Sequence, residues 1–444
     1  FIGGIIGLGL KIAFQAGEGA LTGDVVWTNN FTAMLQVITY HALAIGFIAL
    51  GLKTVNKERA KSKEMGRNSV KSGLIIIGTY LIQAILGLTI TILFSIFFPS
   101  VVPYSGILLP MGYGQGPGQA MNIGGIYANS GFVGGVDFGI TISTLGFLSA
   151  AVGGVIYLNY AAKKGYVQRR DENSILPDSN ELVEKPGEVP LSESIDKFTI
   201  QVGLIAITYL ITLGVIAGIG YLCALSGVAF LTNTVVPLLY GFNFIFATMM
   251  AMVVKKILAA LQKKKVIKRQ YVNNFLLDRI TGLAFDVMII SSIMAIDIRN
   301  LADPGLIITL ITIGILGAFV TYFYVLFMTR RAYPNFKHQG FVTFYGNLTG
   351  TASDGIALLR EIDPNFTTPT ADALVYGSTV AIALGFPVLL ITGFINTGGN
   401  GLDSIALWIS FAVIIVYFLA INGVFFLLLK RYKKKDNLAE ITSN

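Results

Sequence analysis

The stretch GILLPMGYGQGPGQAMNIGGIYA, residues 106–128, decides how this chain folds. It is apolar enough for a bilayer. Yet Gly112, Gly114, Gly116 and Gly118 alternate through it and Pro110 and Pro117 interrupt it, so no ordinary spanning helix forms there. Unpaired peptide groups are costly in lipid, and irregular backbone survives at membrane depth only where protein buries it or water lines it. The stretch therefore reads as a re-entrant hairpin. A second one, FVTFYGNLTGTASDGIALL at residues 341–359, has the same character.

Outward from these two stretches the chain is a membrane protein. It has 444 residues, 54% of them hydrophobic and only 13% charged, and its mean hydropathy is +0.71. Soluble domains carry about a quarter charged residues, so a soluble chain is excluded. Apolar segments run over residues 34–52, 72–98, 137–161, 198–222, 234–254, 281–298, 305–328, 370–395 and 405–429, with a partial one at 1–16. This predicts an all-α polytopic membrane protein with about ten transmembrane helices. The chain opens at Phe1 inside an apolar, glycine-rich stretch without an initiator Met, so a further helix is expected upstream.

Most of the 32 Lys and Arg fall in five clusters between these segments, at 53–71, 163–170, 255–269, 330–337 and 430–435. In a soluble protein the net charge of +8 would point to nucleic acid; here it reports orientation, with all five clusters cytoplasmic. That constraint makes residues 99–136 enter and leave on the outer face and residues 339–369 on the inner face. Matched in order, 1–16, 34–52, 72–98, the outer hairpin and 137–161 pair with 234–254, 281–298, 305–328, the inner hairpin and 370–395, each pair inverted. The expected organisation is two inverted-topology repeats, 1–161 and 198–395, each with a re-entrant hairpin. A cytoplasmic linker at 162–197 joins them, and an extra terminal helix with a basic tail occupies 396–444.

Inverted repeats with broken elements near the midplane are the architecture of secondary transporters. Half-helix N-termini there face anionic groups, and unwound carbonyls hold a small cation. Backbone at Gly112, Gly114 and Gly116 lines a ligand site on this reading, and Gln115, Gln119 and Asn122 bring amides suited to an amino-acid zwitterion. Asn347, Thr349, Thr351 and Ser353 put hard oxygen ligands in one short stretch, as a dehydrated sodium ion requires. Asp354 is a carboxylate at membrane depth, costly unless paired, hydrated or cation-bound, and so a cation or substrate-ammonium ligand; its structural competitor is a pair with Arg360. Asp286 follows the same argument as a further sodium ligand. His41 reads as a neutral histidine hydrogen-bonded across helices, His338 as solvated, and Lys11 as reaching the outer interface.

At the two hairpins the sequence resembles the bacterial sodium/glutamate symporter family, whose members carry a glycine-rich Gly-aromatic-Gly-x-Gly stretch in each repeat. Here the stretches read GYGQG from Gly112 to Gly116 and YGNLTG from Tyr345 to Gly350, and helix order agrees from Phe1 to about Ile395. The resemblance implies sodium-coupled uptake of glutamate by an elevator-like homodimer in the bacterial cytoplasmic membrane. It adds Gly346, Asn347 and Gly350 to the substrate site. Tyr113 stands where histidine is expected, Leu348 replaces a glycine, and Asp354 replaces a small neutral residue; these departures bear on substrate identity more than on membership.

A carrier of another carboxylate, such as a dicarboxylate or citrate, coupled to sodium or protons, is the alternative, and an ion channel the next. No G-x-x-x-x-G-K-[ST] loop, Cys/His zinc constellation or nucleophile-and-base pair stands in the sequence, so neither an enzyme nor a cofactor is expected. Sodium is expected as the coupling ion.

Overall fold

The computed structural model describes residues 1–54, 63–167, 197–229, 231–267, 269, 271–364 and 366–443. Nearly all of the predicted linker at 162–197 lies outside them. The described residues form helices and no strand: α1 (Ile2–Thr22), α2 (Val26–Leu52), α3 (Lys63–Ser95), α4 (Pro117–Asn129), α5 (Gly135–Lys163), α6 (Lys197–Leu225), α7 (Val236–Gly241), α8 (Asn243–Lys263), α9 (Asn274–Ala295), α10 (Pro304–Ala332), α11 (Lys337–Thr349), α12 (Ala352–Arg360), α13 (Thr370–Phe394) and α14 (Ile405–Ser443). Short tight turns at Pro103–Ile107 and Ile298–Leu301, and wide ones at Pro110–Gly114 and Leu231–Val235, link them.

Eight of these helices are long and apolar enough to cross a membrane, against the ten expected: α2, α3, α5, α6, α8, α10, α13 and α14. Segments 1–16 and 281–298 do fold as helices, of 21 and 22 residues, but α1 carries Lys11 and Glu18, and α9 carries Asp278, Arg279 and Asp286. Segment 234–254 is also reset. The chain breaks after Gly241, and the spanning helix begins at Asn243.

Two compact units divide the chain. One is drawn from the described residues of Phe1–Asn56, Pro117–Ile126 and Ile175–Ile298, the other from those of Lys57–Gly116, Tyr127–Ser174 and Arg299–Asn444. In the first unit α2 is the hub, packed on α8 and α9. Its buried Ala44, Ile48 and Leu52, spaced at i, i+4, join Ile205, Ala247 and Leu277 in one core. Lys11 is held within the first unit. It is buried, and its ammonium donates to the Ile296 carbonyl at 2.7 Å, just past the C-terminus of α9 where the helix dipole is negative.

In the second unit α3 is central: 67% of its most apolar stretch is buried, against 17% for α14 on the same measure. Leu74, Ile75, Ile76 and Ile77 are all buried, so the helix is packed on every side, as a helix apolar all round must be. Gly87 of α3 meets Gly106 backbone to backbone, with no room for a Cβ on either, which pins the turn at Pro103–Ile107 to the hub. Helix starts follow local chemistry. Asp303 accepts from the N–H of Gly305 at 2.8 Å and of Leu306 at 3.3 Å, with Pro304 opening α10. His338 is buried, not solvated, because its Nδ1 meets the Tyr157 hydroxyl at 2.8 Å.

Candidate functional site

The second glycine-rich stretch folds as two short helices. α11 and α12 approach through glycines, since a Cβ on Gly346 would stand 2.8 Å from both Cα and N of Gly355. Between them the chain stops at Gly350 and restarts at Thr351, whose backbone N–H and hydroxyl each donate to Asp354 Oδ2 at 2.7 Å. The Asp354 N–H returns to Thr351 Oγ1 at 3.4 Å, completing a capping box that closes the start of α12. One role of the carboxylate is therefore local. Thr349, fully buried, donates to the Tyr345 carbonyl at 2.7 Å; Asn347 is buried and Ser353 exposed. Arg360 lies over the ring of Phe366 at 5.4 Å.

The first stretch breaks as its sequence predicts, and the second unit holds the part up to Gly116. Gly112 packs against Ile142 and Ser143 of α5, and the Gly114 carbonyl accepts from the Tyr80 hydroxyl at 2.9 Å. Gln115 is half-buried. Gly116 has φ of +90°, a conformation that favours glycine, and no side chain caps the helix that follows. Tyr113 donates to the Gly314 carbonyl at 2.7 Å and lies 3.1 Å from the Ser149 hydroxyl. The two breaks adjoin. A Cβ on Gly116 would stand 3.9 Å from Thr351 Cγ2, ordinary van der Waals contact.

Beside this junction lies Gln83, fully buried in the middle of α3. Its Nε2 donates to Thr321 Oγ1 and to the Leu348 carbonyl, both at 2.9 Å. A carbonyl only accepts, so the amide cannot be turned over, and its Oε1 is fixed on the other side, toward Gly114, whose Cβ would stand 3.2 Å from it. That oxygen has no hydrogen-bond partner. Neither does the buried hydroxyl of Ser143. Unsatisfied buried acceptors are scarce in folded proteins, and this one suits a cation or a donor.

Gln119, Asn122 and Asp286 belong to the first unit. Asn122 donates to the Gly241 carbonyl at 2.8 Å, Gln119 is 1% exposed with neither side-chain polar atom bonded, and Asp286 is exposed on α9. His41 Nδ1 lies 2.5 Å from the Tyr209 hydroxyl, the bond across helices that its position predicts. Among the described residues, no three His, Cys, Asp or Glu side chains gather as a metal cluster. A cation at the second break would rest on Asp354 and neighbouring neutral oxygens.

After α12 the chain turns on Asp363, buried and accepting four bonds: from N and Oγ1 of Thr367, each at 2.8 Å, and from N and Oγ1 of Thr368 at 2.9 and 2.6 Å. Burial by itself raises this carboxyl; the four donors outweigh it and hold it below the ordinary carboxylate range. A cavity of about 580 Å³ opens between Leu148 and Val152 of α5 and Ile315 and Phe319 of α10, reaching Tyr113 and Tyr345. Its walls are almost wholly apolar and offer little to a charged solute.

Gln83 carries no mark in a motif. The available signal for Gln83 was a lone amide within GLIIIGTYLIQAILGLTITILF, residues 73–94, since polar side chains in such runs are costly and tend to be functional. Comparison with family models, with curated proteins and with solved structures finds no match to this chain.

Proposed function

We propose that this chain is a secondary active transporter that moves an anionic amino acid, glutamate on the family resemblance, into the cell together with sodium by alternating access. One observation carries the reading. Two breaks in the chain, between helices apolar enough to cross a membrane, meet at Gly116 and Thr351, beside a buried Gln83 oxygen that has no partner. Irregular backbone and an open acceptor at membrane depth are stable only as part of a polar site, and such sites are where carriers bind solute and ion.

The chemistry of the breaks divides the labour. The start of α12 is neutralised by its own Asp354, and with Thr349, Thr351 and Ser353 it favours a cation; Asp286, exposed in the first unit, is left out of the proposed sodium set. The start of α4 after Gly116 has no side-chain cap and no acidic residue in its first turn, which favours an anion. Within the second unit Gly112, Gly114, Gln115, Gly116, Gly346, Asn347 and Gly350 form the proposed substrate set with Asp354; Gln119 and Asn122, of the first unit, are left out of it.

Element order supports inverted repeats. Each half runs helix, helix, helix, broken element, helix, and α1, α2, α8 and α9 fall in one unit while α3, α5, α10 and α13 fall in the other. We extend the reading to re-entrant hairpins, an elevator-like homodimer and the bacterial cytoplasmic membrane. Coupling is favourable, because each surplus positive charge carried inward gains roughly 2.3 kcal/mol per 100 mV of inside-negative potential.

Radiolabelled glutamate uptake into proteoliposomes, with sodium and potential imposed separately, is the test. Uptake that rises with inward sodium supports the proposal; equal uptake with choline and sodium overturns the coupling. Gln83→Met should depress uptake at least tenfold with the protein still membrane-inserted.

A further inference from the structure

The apolar cavity of about 580 Å³ in the second unit is walled by one face of each of two helices that are long and apolar enough to cross a membrane. On α5 that face runs from Leu145 to Ile156 and on α10 from Ile311 to Phe323, with lining residues recurring every three or four positions. At 1.5 Å per residue both runs are about 17–18 Å long, close to the roughly 15 Å depth of one leaflet's hydrocarbon. Leu148, Val152, Ile156, Ile315, Phe319 and Phe323 are all exposed, so the cavity is a groove open along its flank. Its few polar groups are already satisfied. Tyr113 donates to the Gly314 carbonyl at 2.7 Å, Tyr345 to the Ser149 carbonyl at 3.0 Å, and the Ser149 hydroxyl to the Leu145 carbonyl at 2.8 Å.

The two helices run in the same sense. A Cβ on Gly314 would stand 2.7 Å from Leu145 Cδ1 near one end, and the rings of Tyr157 and Tyr322 lie 6.3 Å apart near the other. Their C-termini therefore emerge together, and that end is basic. Lys163 and Lys164 close α5, Arg330 and Arg331 lie in the last turn of α10, and Lys337 opens α11, all of them exposed. No Asp or Glu occurs over residues 138–170 or 304–353, and among the described residues none of these cations forms an ion pair. Arg330 is turned back to the groove. Its guanidinium interacts with the hydroxyls of Tyr157 and Tyr322, the second of which belongs to the groove wall, and with Lys337 it lies near His338. Arg331 is held elsewhere, 3.5 Å over the Phe327 ring and donating to the Phe327 carbonyl at 3.3 Å.

We infer that this groove and its basic end bind an anionic phospholipid, with one acyl chain lying between α5 and α10 and the head-group phosphate held by Arg330 and Lys337. Charge decides the class of lipid. Each Lys or Arg at a membrane surface favours an anionic head group by about fivefold in affinity, and an apolar groove of leaflet length leading to such residues fixes the chain beneath them. The groove reaches Tyr113 and Tyr345, one from each glycine-rich stretch, so a bound lipid braces both. Such a site needs a bilayer around the chain and does not depend on the solute carried.

The test titrates the full chain in detergent with phosphatidylglycerol or phosphatidylcholine of the same acyl chains, read by native mass spectrometry and by melting temperature. The wild-type chain should bind phosphatidylglycerol at least about tenfold more tightly than phosphatidylcholine and melt higher with it. Arg330→Gln should reduce that preference about fivefold and Arg330→Gln with Lys337→Gln should abolish it, whereas Arg331→Gln, the same charge lost one position on, should keep it. Ala318→Trp, which fills the groove, should weaken both lipids at least about tenfold. Val152→Trp, at an exposed position, serves if that variant does not insert. Equal wild-type affinity for the two lipids, or as large a loss of preference in Arg331→Gln as in Arg330→Gln, would overturn the head-group site. Wild-type binding in a groove-filling variant would overturn the acyl-chain site.

Discussion

Asp354 holds two assignments that one substitution separates: it closes the start of α12, and it is proposed to bind the coupling cation. Asp354→Asn keeps an oxygen that can accept from the Thr351 N–H but removes the charge; Asp354→Ala removes both. The N–H and hydroxyl of Thr351 reach the carboxylate at 2.7 Å each. Hydrogen bonds to an ionised acceptor are about twice as strong as neutral ones, and a negative charge at a helix start adds roughly 0.3–1 kcal/mol. Asparagine should therefore cost about 1 kcal/mol of stability, and alanine about 1–2 kcal/mol, the usual range for a lost cap. Those losses are small beside the stability of a folded domain, so both proteins should still insert and purify. Transport should divide them from wild type far more sharply. In proteoliposomes the sodium concentration for half-maximal glutamate uptake should rise at least tenfold in Asp354→Asn, with the melting temperature displaced by only a few degrees. Wild-type sodium dependence in the asparagine variant, together with failure of the alanine variant, would mean that the carboxylate only closes the turn. The sodium assignment would then be wrong.

Gly346→Ala should force α11 and α12 apart, because the new methyl would stand 2.8 Å from the Gly355 backbone; a loss of about 1–3 kcal/mol and of most uptake is expected, seen by thermal melting and transport. Lys11→Met should destabilise by about 1–3 kcal/mol by leaving the Ile296 carbonyl without its buried donor, measured by thermal unfolding in detergent, and an unchanged melt would show the bond is idle. Asp363 sets a pH limit. Its carboxyl lies lower in the folded state than in the unfolded one, so its stabilisation is complete above the unfolded value, about pH 4, and disappears as pH falls through the lower folded value. Asp363→Asn should flatten the fall of melting temperature in that acid window, and a curve of unchanged steepness would remove this carboxylate as its cause.

The breaks were legible because glycine and proline act through their own backbone. Clustered as they are, Gly116 with Pro117 and Gly346 with Gly350 weaken a helix locally, and the chain breaks at Gly116 and Gly350, although single residues such as Gly146 and Pro387 are carried inside long helices. The break after Gly241 was hidden, because its neighbours Tyr240, Phe242 and Phe244 are as apolar as a continuous helix would be. Two segments fell short of spanning character for a reason visible in the letters, the charges at Lys11 and Glu18 and at Asp278, Arg279 and Asp286. Lys11 itself could not be placed, because its partner, the Ile296 carbonyl, is 285 residues away. Gln83 was legible only as a lone amide in an apolar run: its significance lies in which side of the amide Leu348 occupies, a fact of packing and not of spacing. The composition of the two compact units, each gathering helices from both halves, likewise depends on long-range contacts.

Because Thr351 and Asp354 satisfy each other, the tip of the second arm needs no passenger to stay wound. A carrier whose tip melted whenever its cargo departed would have to re-fold it on every return journey, and would spend part of each turnover doing so. On the carrier reading proposed above, the unloaded tip would keep its shape, and the homeward half of the cycle would start from an arm already formed.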